Sequence, residues 1–374
     1  MVLDRQTLNR TLLRRQLLLE REPAQPLDVI ELLVGMQAQT PASPYLALWS
    51  RIREFDPARL SQLIAERKAV RIVLQRSTIH LVSAADCLSF RPVLAGMLNR
   101  TLTGRFRKAL EPVDERQLAQ VGRELVDAEP RTFAELGRLL AEHFGEADSE
   151  ALAMGVRSLV ALVQVPPRGL WNQSGLARHT SAEAWLGAPL GESDQPDVLV
   201  CRYLRAFGPA TVADVQMWSG LTRLQAVMDR LAPRLRSFED DGGRVLWDVP
   251  AAPIEDPATA APPRFLPDYD NVLLGHADRS RMLDAAHREL MVARNRILPS
   301  VLIDGRVGAV WRLERGTESA LVTVDPFRRL DTETADAVRA EGEGLARLIA
   351  PEVARHRVQV TTRLSGRARP APRP

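Results

Sequence analysis

Lysine is nearly missing from this chain: of 50 basic residues, only Lys68 and Lys108 are not arginine. Chemistry that attacks through an amine therefore has two side chains to draw on, and both lie in charged stretches that read as solvent-facing. Cysteine is equally scarce. Cys87 and Cys201 stand far apart with no CxxC or zinc spacing, which excludes a disulfide framework and a thiolate metal site. Two such thiols suit a reducing compartment, each as a small buried apolar residue. No apolar run is long enough to span a bilayer, and Met1-Val2-Leu3-Asp4-Arg5 leads into an amphipathic helix rather than a signal peptide, so a cytoplasmic protein is expected. There is no Walker loop, dinucleotide fingerprint, nucleophile elbow or HExxH, which disfavours nucleotide-driven and zinc-hydrolase functions.

What is present is arginine, alanine and proline in quantity. A chain of 374 residues with 45% hydrophobic content can bury several modest cores, enough for two to four modules. The net charge is +3, so any cationic surface for nucleic acid must be local. Arginine's planar fork suits phosphate and stacks on bases. A GC-rich genome produces the same bias, so the count alone does not say where the arginines point.

One local pattern occurs three times: Pro26-Leu27-Asp28-Val29-Ile30-Glu31-Leu32, Pro130-Arg131-Thr132-Phe133-Ala134-Glu135-Leu136 and Pro209-Ala210-Thr211-Val212-Ala213-Asp214-Val215. In each, Asp28, Thr132 or Thr211 can cap a new helix while the acid three residues on answers back. A short helix, a second helical stretch and two strand-like runs follow each start, which is the order of a winged helix. The runs are Val70–Gln75 and Thr78–Val82 around Arg76-Ser77, Val163–Val165 before Pro166-Pro167, and Leu235–Phe238 and Arg244–Trp247 around Asp240-Asp241-Gly242-Gly243. The third is the clearest hairpin and the second the weakest.

The expected fold is therefore α+β: three tandem winged-helix units followed by a small C-terminal β-barrel-like domain. The boundaries are 1–110, 111–190, 191–255 and 256–374, with an opening helix near Asp4–Glu20 belonging to the first unit and a Pro/Ala linker at Pro250–Pro263. Strands at Val301–Ile303, Arg306–Trp311, Ala320–Val324 and Arg357–Val360, with a helix near Thr332–Ile349, make up the last domain. The tail Arg363–Pro374 is expected to be disordered.

The first unit is longer from cap to wing than the third, and its insertion begins Gly35-Met36-Gln37-Ala38-Gln39-Thr40-Pro41. Pro41 and Pro44 stop the preceding helix from continuing, and Gln37 and Gln39, two apart, share a side if the chain is extended there. On its own such a pair reads first as helix-end hydrogen bonding or as ordinary polar surface. Together with Gln75-Arg76-Ser77-Thr78-Ile79-His80-Leu81-Val82, Phe207-Gly208-Pro209-Ala210-Thr211, Leu273-Leu274-Gly275-His276-Ala277-Asp278-Arg279 and Val301-Leu302-Ile303-Asp304-Gly305-Arg306, however, it resembles the winged-helix DNA glycosylases of the azinomycin-resistance, AlkZ-like type. The resemblance runs over nearly the whole chain. It implies hydrolysis of the N-glycosidic bond of N7-alkylguanine, including bulky adducts and interstrand crosslinks from natural-product alkylating agents, in DNA repair or toxin self-resistance. It places the catalytic pair on Gln37 and Gln39, and an open concave channel around double-stranded DNA bordered by the Asp304-Gly305 hairpin. Asp304, Gly305, Arg306 and Arg76 are the DNA-contact candidates, with no metal or cofactor and a monomer as default.

Without that resemblance, the hairpin is a plain type I′ turn. His80 is either a wing contact or, preferably, a satisfied half-buried histidine. His276-Ala277-Asp278 and Asp268-Tyr269-Asp270 lack a second ligand cluster and read as capping or structural groups rather than metal ligands. The competing functions are a winged-helix transcriptional regulator, for which one module and a dimerisation helix would suffice, and a protein-interaction scaffold. With so few lysines, the enzyme is expected to be monofunctional, releasing the base with water.

Overall fold

Two of the three anticipated helix starts carry the reciprocal cap that their sequences spell. Thr132 Oγ1 accepts from the Glu135 N–H (3.2 Å) while the Glu135 carboxylate accepts from the Thr132 N–H (2.8 Å), opening the helix Phe133–Phe144. Thr211 and Asp214 do the same at 3.1 and 2.9 Å for Val212–Ser219. The first start differs: the helix is Pro26–Leu32, so Asp28 lies in its first turn and caps nothing. Proline's fixed φ already suits the first helical position, and it starts the helix three residues early. The computed structural model describes residues 1–145, 147–293 and 296–362. The arginine-rich tail Arg363–Pro374 lies outside them.

The strands form three main sheets. A central antiparallel sheet has the order Met36–Gln37, Ile79–Ser83, Ala69–Val73, Leu162–Gln164, His179–Ser181. It joins strands from either side of residue 110, because Arg71 pairs with Gln164 and Ile72 with Val163. All five residues of Ala69–Val73 are buried, as expected of a strand covered on both faces. Cys87 is buried against this layer and Cys201 is half-buried; both are free.

The C-terminal sheet corrects the expectation of a barrel. Its order is Arg355–Val360, Ser319–Pro326, Arg306–Arg315, Ser300–Ile303, Arg264–Leu266. Among the described residues the two outer strands do not pair with each other, so the sheet is open. The helix Thr332–Ile349 crosses one face and returns the last strand parallel to Ser319–Pro326. It buries Val338 and Leu345 against Phe265, Val301, Val322 and Val324, so packing rather than closure covers the sheet. The edge strand Arg264–Leu266 has no turn signal and was not legible in the sequence.

The opening helix, Arg5–Arg15, starts at Asp4, whose carboxylate accepts from the Thr7 N–H at 2.7 Å. Its last turn is tied to the third repeat. Arg15 forms a bidentate pair with Asp248 at 2.8 and 2.9 Å, both side chains buried, and Gln16 Nε2 donates to the Ala206 carbonyl at 2.8 Å. The strand Val2–Leu3 runs parallel to Arg236–Asp240, which pairs with Val245–Asp248 as a third small sheet. The Pro/Ala stretch read as a linker is a strap on this helix: Arg10 Nε donates to the Thr259 carbonyl (2.7 Å), and the Glu255 N–H donates to Thr11 Oγ1 (3.0 Å). No helix among the described residues is long and apolar enough to cross a membrane.

Candidate active site

After the helix Pro26–Leu32 the chain reverses through Val34 (φ +57) and Gly35 (φ +84). Only glycine fits the second position, since a Cβ there would lie 2.5 Å from Val82 Cγ1 and 3.2 Å from the Leu81 carbonyl. Met36 and Gln37 then pair antiparallel with Leu81 and His80, and the Ala38 N–H continues the ladder to the Ile79 carbonyl at 2.7 Å. Extended backbone sends alternate side chains to opposite faces. Met36 and Ala38 enter the core beside Tyr45 and Leu48 while Gln37 takes the other side; the strand ends there, and Gln39 lies in the bend that follows. Gln37 is 7% exposed, whereas Gln39 is exposed and has no hydrogen-bond partner among the described residues.

Arg76 reaches Gln37. At the tip of the hairpin joining Ala69–Val73 to Ile79–Ser83, Arg76 (φ +54) and Ser77 (φ +56) are both left-handed, and the guanidinium folds back over the sheet. Nη2 donates to Gln37 Oε1 at 3.0 Å, and Nη1 donates to the Trp218 carbonyl. His80 Nδ1 lies 3.0 Å from the Thr78 carbonyl, so Nδ1 carries the proton and Nε2 is the acceptor that faces Arg76 Nη2 at 3.4 Å. Burial, then the Arg76 cation, pull the imidazole down to about 3 against the Thr78 hydrogen bond. His80 is therefore neutral and hydrogen-bonded, more deeply buried than the half-buried histidine preferred from sequence. Burial, with Arg279 nearby, lowers Arg76 to about 10, so it remains a cation at neutral pH. Because Gln37 Oε1 accepts from Arg76, its amide N–H groups face away from that cation.

A second arginine, unnoticed in the sequence, holds the backbone between the glutamines. Arg71 is 1% exposed; its Nη2 donates to the Ala38 carbonyl at 2.8 Å and its Nε to Gln164 Oε1 at 3.2 Å. Burial, then the Arg168 cation, lower it to about 10. The signal was available: a charge inside the otherwise apolar run Ala69-Val70-Arg71-Ile72-Val73. Neither Arg71 nor Arg76 has a carboxylate partner among the described residues.

Residues 267–271 close the other side of a small cavity that Met36, Gln37, Ser43, Ala47 and Arg51 also line. Asp268 accepts from Thr40 Oγ1 (2.7 Å), Ser43 Oγ and Arg296 Nη2 (3.2 Å). Asp270 is paired with Arg51 at 2.8 and 2.9 Å, both side chains fully buried. Both acids are thus matched by cations and are structural, as the sequence suggested. Asn271 Nδ2 donates to the Gly35 carbonyl at 2.9 Å, tying the loop to the glutamine segment.

The other expected DNA contacts stand elsewhere. Asp304 (φ +48) and Gly305 (φ +73) form a type I′ turn resting on the opening helix. Asn9 Nδ2 donates to the Gly305 carbonyl at 2.8 Å, and Arg10 pairs with the Asp304 carboxylate, which is 71% exposed. Arg306 pairs with Asp284. No hydrogen bond or ion pair among the described residues joins this turn to Gln37 or Arg76. His276 is buried with Nε2 3.0 Å from the Phe207 carbonyl, while Asp278 caps Ser280 and pairs with Arg244. No group of three His, Cys, Asp or Glu among the described residues is arranged to hold a metal ion.

What the glutamine pair offers is neutral: amides that donate to and accept from water or a sugar, beside the buried Arg71, the half-buried Arg76 and a histidine that does not titrate near neutrality. A family model described as DNA glycosylase AlkZ-like matches residues 30–348. No curated protein matches the chain. Among solved structures, the Streptomyces sahachiroi DNA glycosylase AlkZ is similar over 96% of this chain and 100% of that one, with a TM-score of 0.80 at 23% identity, a likeness of fold. The family model spans most of the sequence, and this chain belongs to the AlkZ-like DNA glycosylases.

Proposed function

We propose that this DNA glycosylase hydrolyses the N-glycosidic bond of N7-alkylguanine in duplex DNA, including bulky adducts and interstrand crosslinks, as a monofunctional monomer. The observation that carries the reading is the neutral Gln37–Gln39 pair, with both nearby acids, Asp268 and Asp270, already engaged by Arg296 and Arg51. Alkylation at N7 makes guanine a cation and hence a leaving group that needs no general acid. What remains is to place a water at C1′ and support the oxocarbenium-like sugar as charge moves onto it, which two amides can do by donating and accepting. Arg76 is then a positioning residue: by donating to Gln37 Oε1 it sets which way the amide faces.

In this reading the three repeats act as winged-helix units around one duplex, and the Asp304-Gly305 turn borders the groove. A base tied to the opposite strand cannot swing freely into a closed pocket, so an open approach suits crosslinks. The deciding experiment is incubation of the protein with duplex DNA carrying N7-methylguanine and measurement of free base. Release of N7-methylguanine, with undamaged guanine retained, is expected; no release sinks the proposal.

A further inference from the structure

We propose that the ring of Tyr269 receives the positively charged face of the alkylated guanine and is a specificity-determining residue of this site. The inference rests on the N7-alkylguanine reading and adds to it what recognises the lesion. The chain has three tyrosines. Tyr45 is buried, with its hydroxyl donating to the Gly169 carbonyl at 2.8 Å and its ring 4.8 Å from Trp171. Tyr203 is buried, donates to the Gly275 carbonyl at 2.7 Å and stacks on Phe207 at 5.0 Å. Tyr269 does neither: it is half-exposed, its hydroxyl has no partner among the described residues, and it lines the cavity on which Gln37 stands.

Its backbone is also out of the ordinary. At φ +58 it occupies the left-handed region that bulky L residues rarely hold. Such a conformation persists only where the surroundings over-determine it. Here they do, since Asp268 on one side is held by Thr40 and Ser43, Asp270 on the other is locked to Arg51, and Asn271 is tied to Gly35. These anchors bracket the glutamine segment and fix the aromatic residue beside it.

Charge decides which ligand face belongs there. The Arg76 side of Gln37 is cationic and repels a cationic base. On the loop side, Asp268 and Asp270 are already matched by arginines, and the π face of Tyr269 is the surface left with a preference for positive charge. Unmodified guanine can stack on the same ring but lacks the charge term, so the ring separates damaged from undamaged bases through binding more than through the chemical step.

The test measures binding of the full-length protein to a duplex with one N7-methyl-2′-fluoroguanosine, whose fluorine resists excision, and to its unmodified counterpart. Wild type and Tyr269→Phe should prefer the alkylated duplex, and Tyr269→Leu should lose about tenfold of that preference with its affinity for unmodified DNA changed by less than about threefold. Leucine at this φ carries the same backbone cost as tyrosine, and Tyr269→Gly, which relaxes that cost, should show the same loss. Retained preference in the Leu and Gly variants, equal weakening on both duplexes, or no preference in wild type each overturns the inference. Wild-type base release with unchanged preference in Tyr269→Leu refutes only this role, whereas absent base release refutes the glycosylase specificity itself.

Discussion

Replacing Gln37 and Gln39 by alanine, singly and together, separates structure from catalysis, because the two positions are unequal in stability and equal in chemistry. Gln37 is 7% exposed and accepts from Arg76 at 3.0 Å. Its removal leaves the guanidinium with the Trp218 carbonyl and the His80 ring, and a buried donor short of a partner costs about 1–3 kcal/mol. Gln39 is exposed and unbonded among the described residues, so Gln39→Ala should change stability by less than about 0.5 kcal/mol. Rates should respond alike. Loss of one preorganised polar group in a transition state costs on the order of 10²–10³, or about 2.7–4 kcal/mol, and both variants should keep most of their DNA affinity. The double variant should be little worse than the weaker single, because both amides would hold the same water. Urea unfolding gives the stabilities, and single-turnover base release with enzyme in excess gives the rates. Wild-type release by either single variant, or losses that simply multiply, would refute the shared-water arrangement.

Five further outcomes follow from the same structure. Asp270→Ala strands the fully buried Arg51 and should cost about 3–5 kcal/mol in urea unfolding, while Arg51→Met/Asp270→Leu recovers most of it; a single-variant loss below about 1 kcal/mol would show the pair to be dispensable. For pH, the excision rate at saturation should stay flat from about pH 6 to 9, since His80 sits at about 3 and Arg76 at about 10; a limb near pH 7 means another group titrates in the site. Stability behaves differently: burial depresses His80 and His276 to about 3 and His179 to about 4, so the unfolded chain binds more protons as pH falls below 6.5, and each histidine should cost about 1–2 kcal/mol by pH 5. Constant stability between pH 7 and 5 would contradict that burial. Borohydride should trap no covalent complex on alkylated DNA, as Lys68 is exposed and paired with Glu66 at 2.8 Å, Lys108 is exposed, and Met1 is tied by its carbonyl to Glu239; a trapped species lost in Lys68→Ala or Lys108→Ala overturns monofunctional hydrolysis. Shortening Ile303-Asp304-Gly305-Arg306 should impair crosslink unhooking more than N7-methylguanine release, and equal loss on both substrates makes the turn a stability element for Asn9 and Arg10.

Local chemistry made much of this protein legible. The caps at Thr132 and Thr211, the type I′ turn at Asp304-Gly305 and the glutamines two apart between Gly35 and Pro41 all depend on residues within a few positions of one another. Propensity and periodicity act over that range, so these elements could be read from the chain alone. Tertiary structure decided what distant segments do to each other. Arg76 reads as a wing tip aimed at DNA, yet its guanidinium turns inward because Trp218, 142 residues away, offers a carbonyl and Gln37 an amide oxygen. The loop that closes the site reaches Thr40 from 228 residues on, and Tyr269 looked like a bystander in a metal-like Asp-Tyr-Asp until its neighbours were seen fixed to the glutamine segment. The expected barrel stays open because Thr332–Ile349 covers the sheet that closure would otherwise have had to protect. Such choices depend on which buried polar groups find partners and which apolar faces find cover, and only the folded chain brings those groups together.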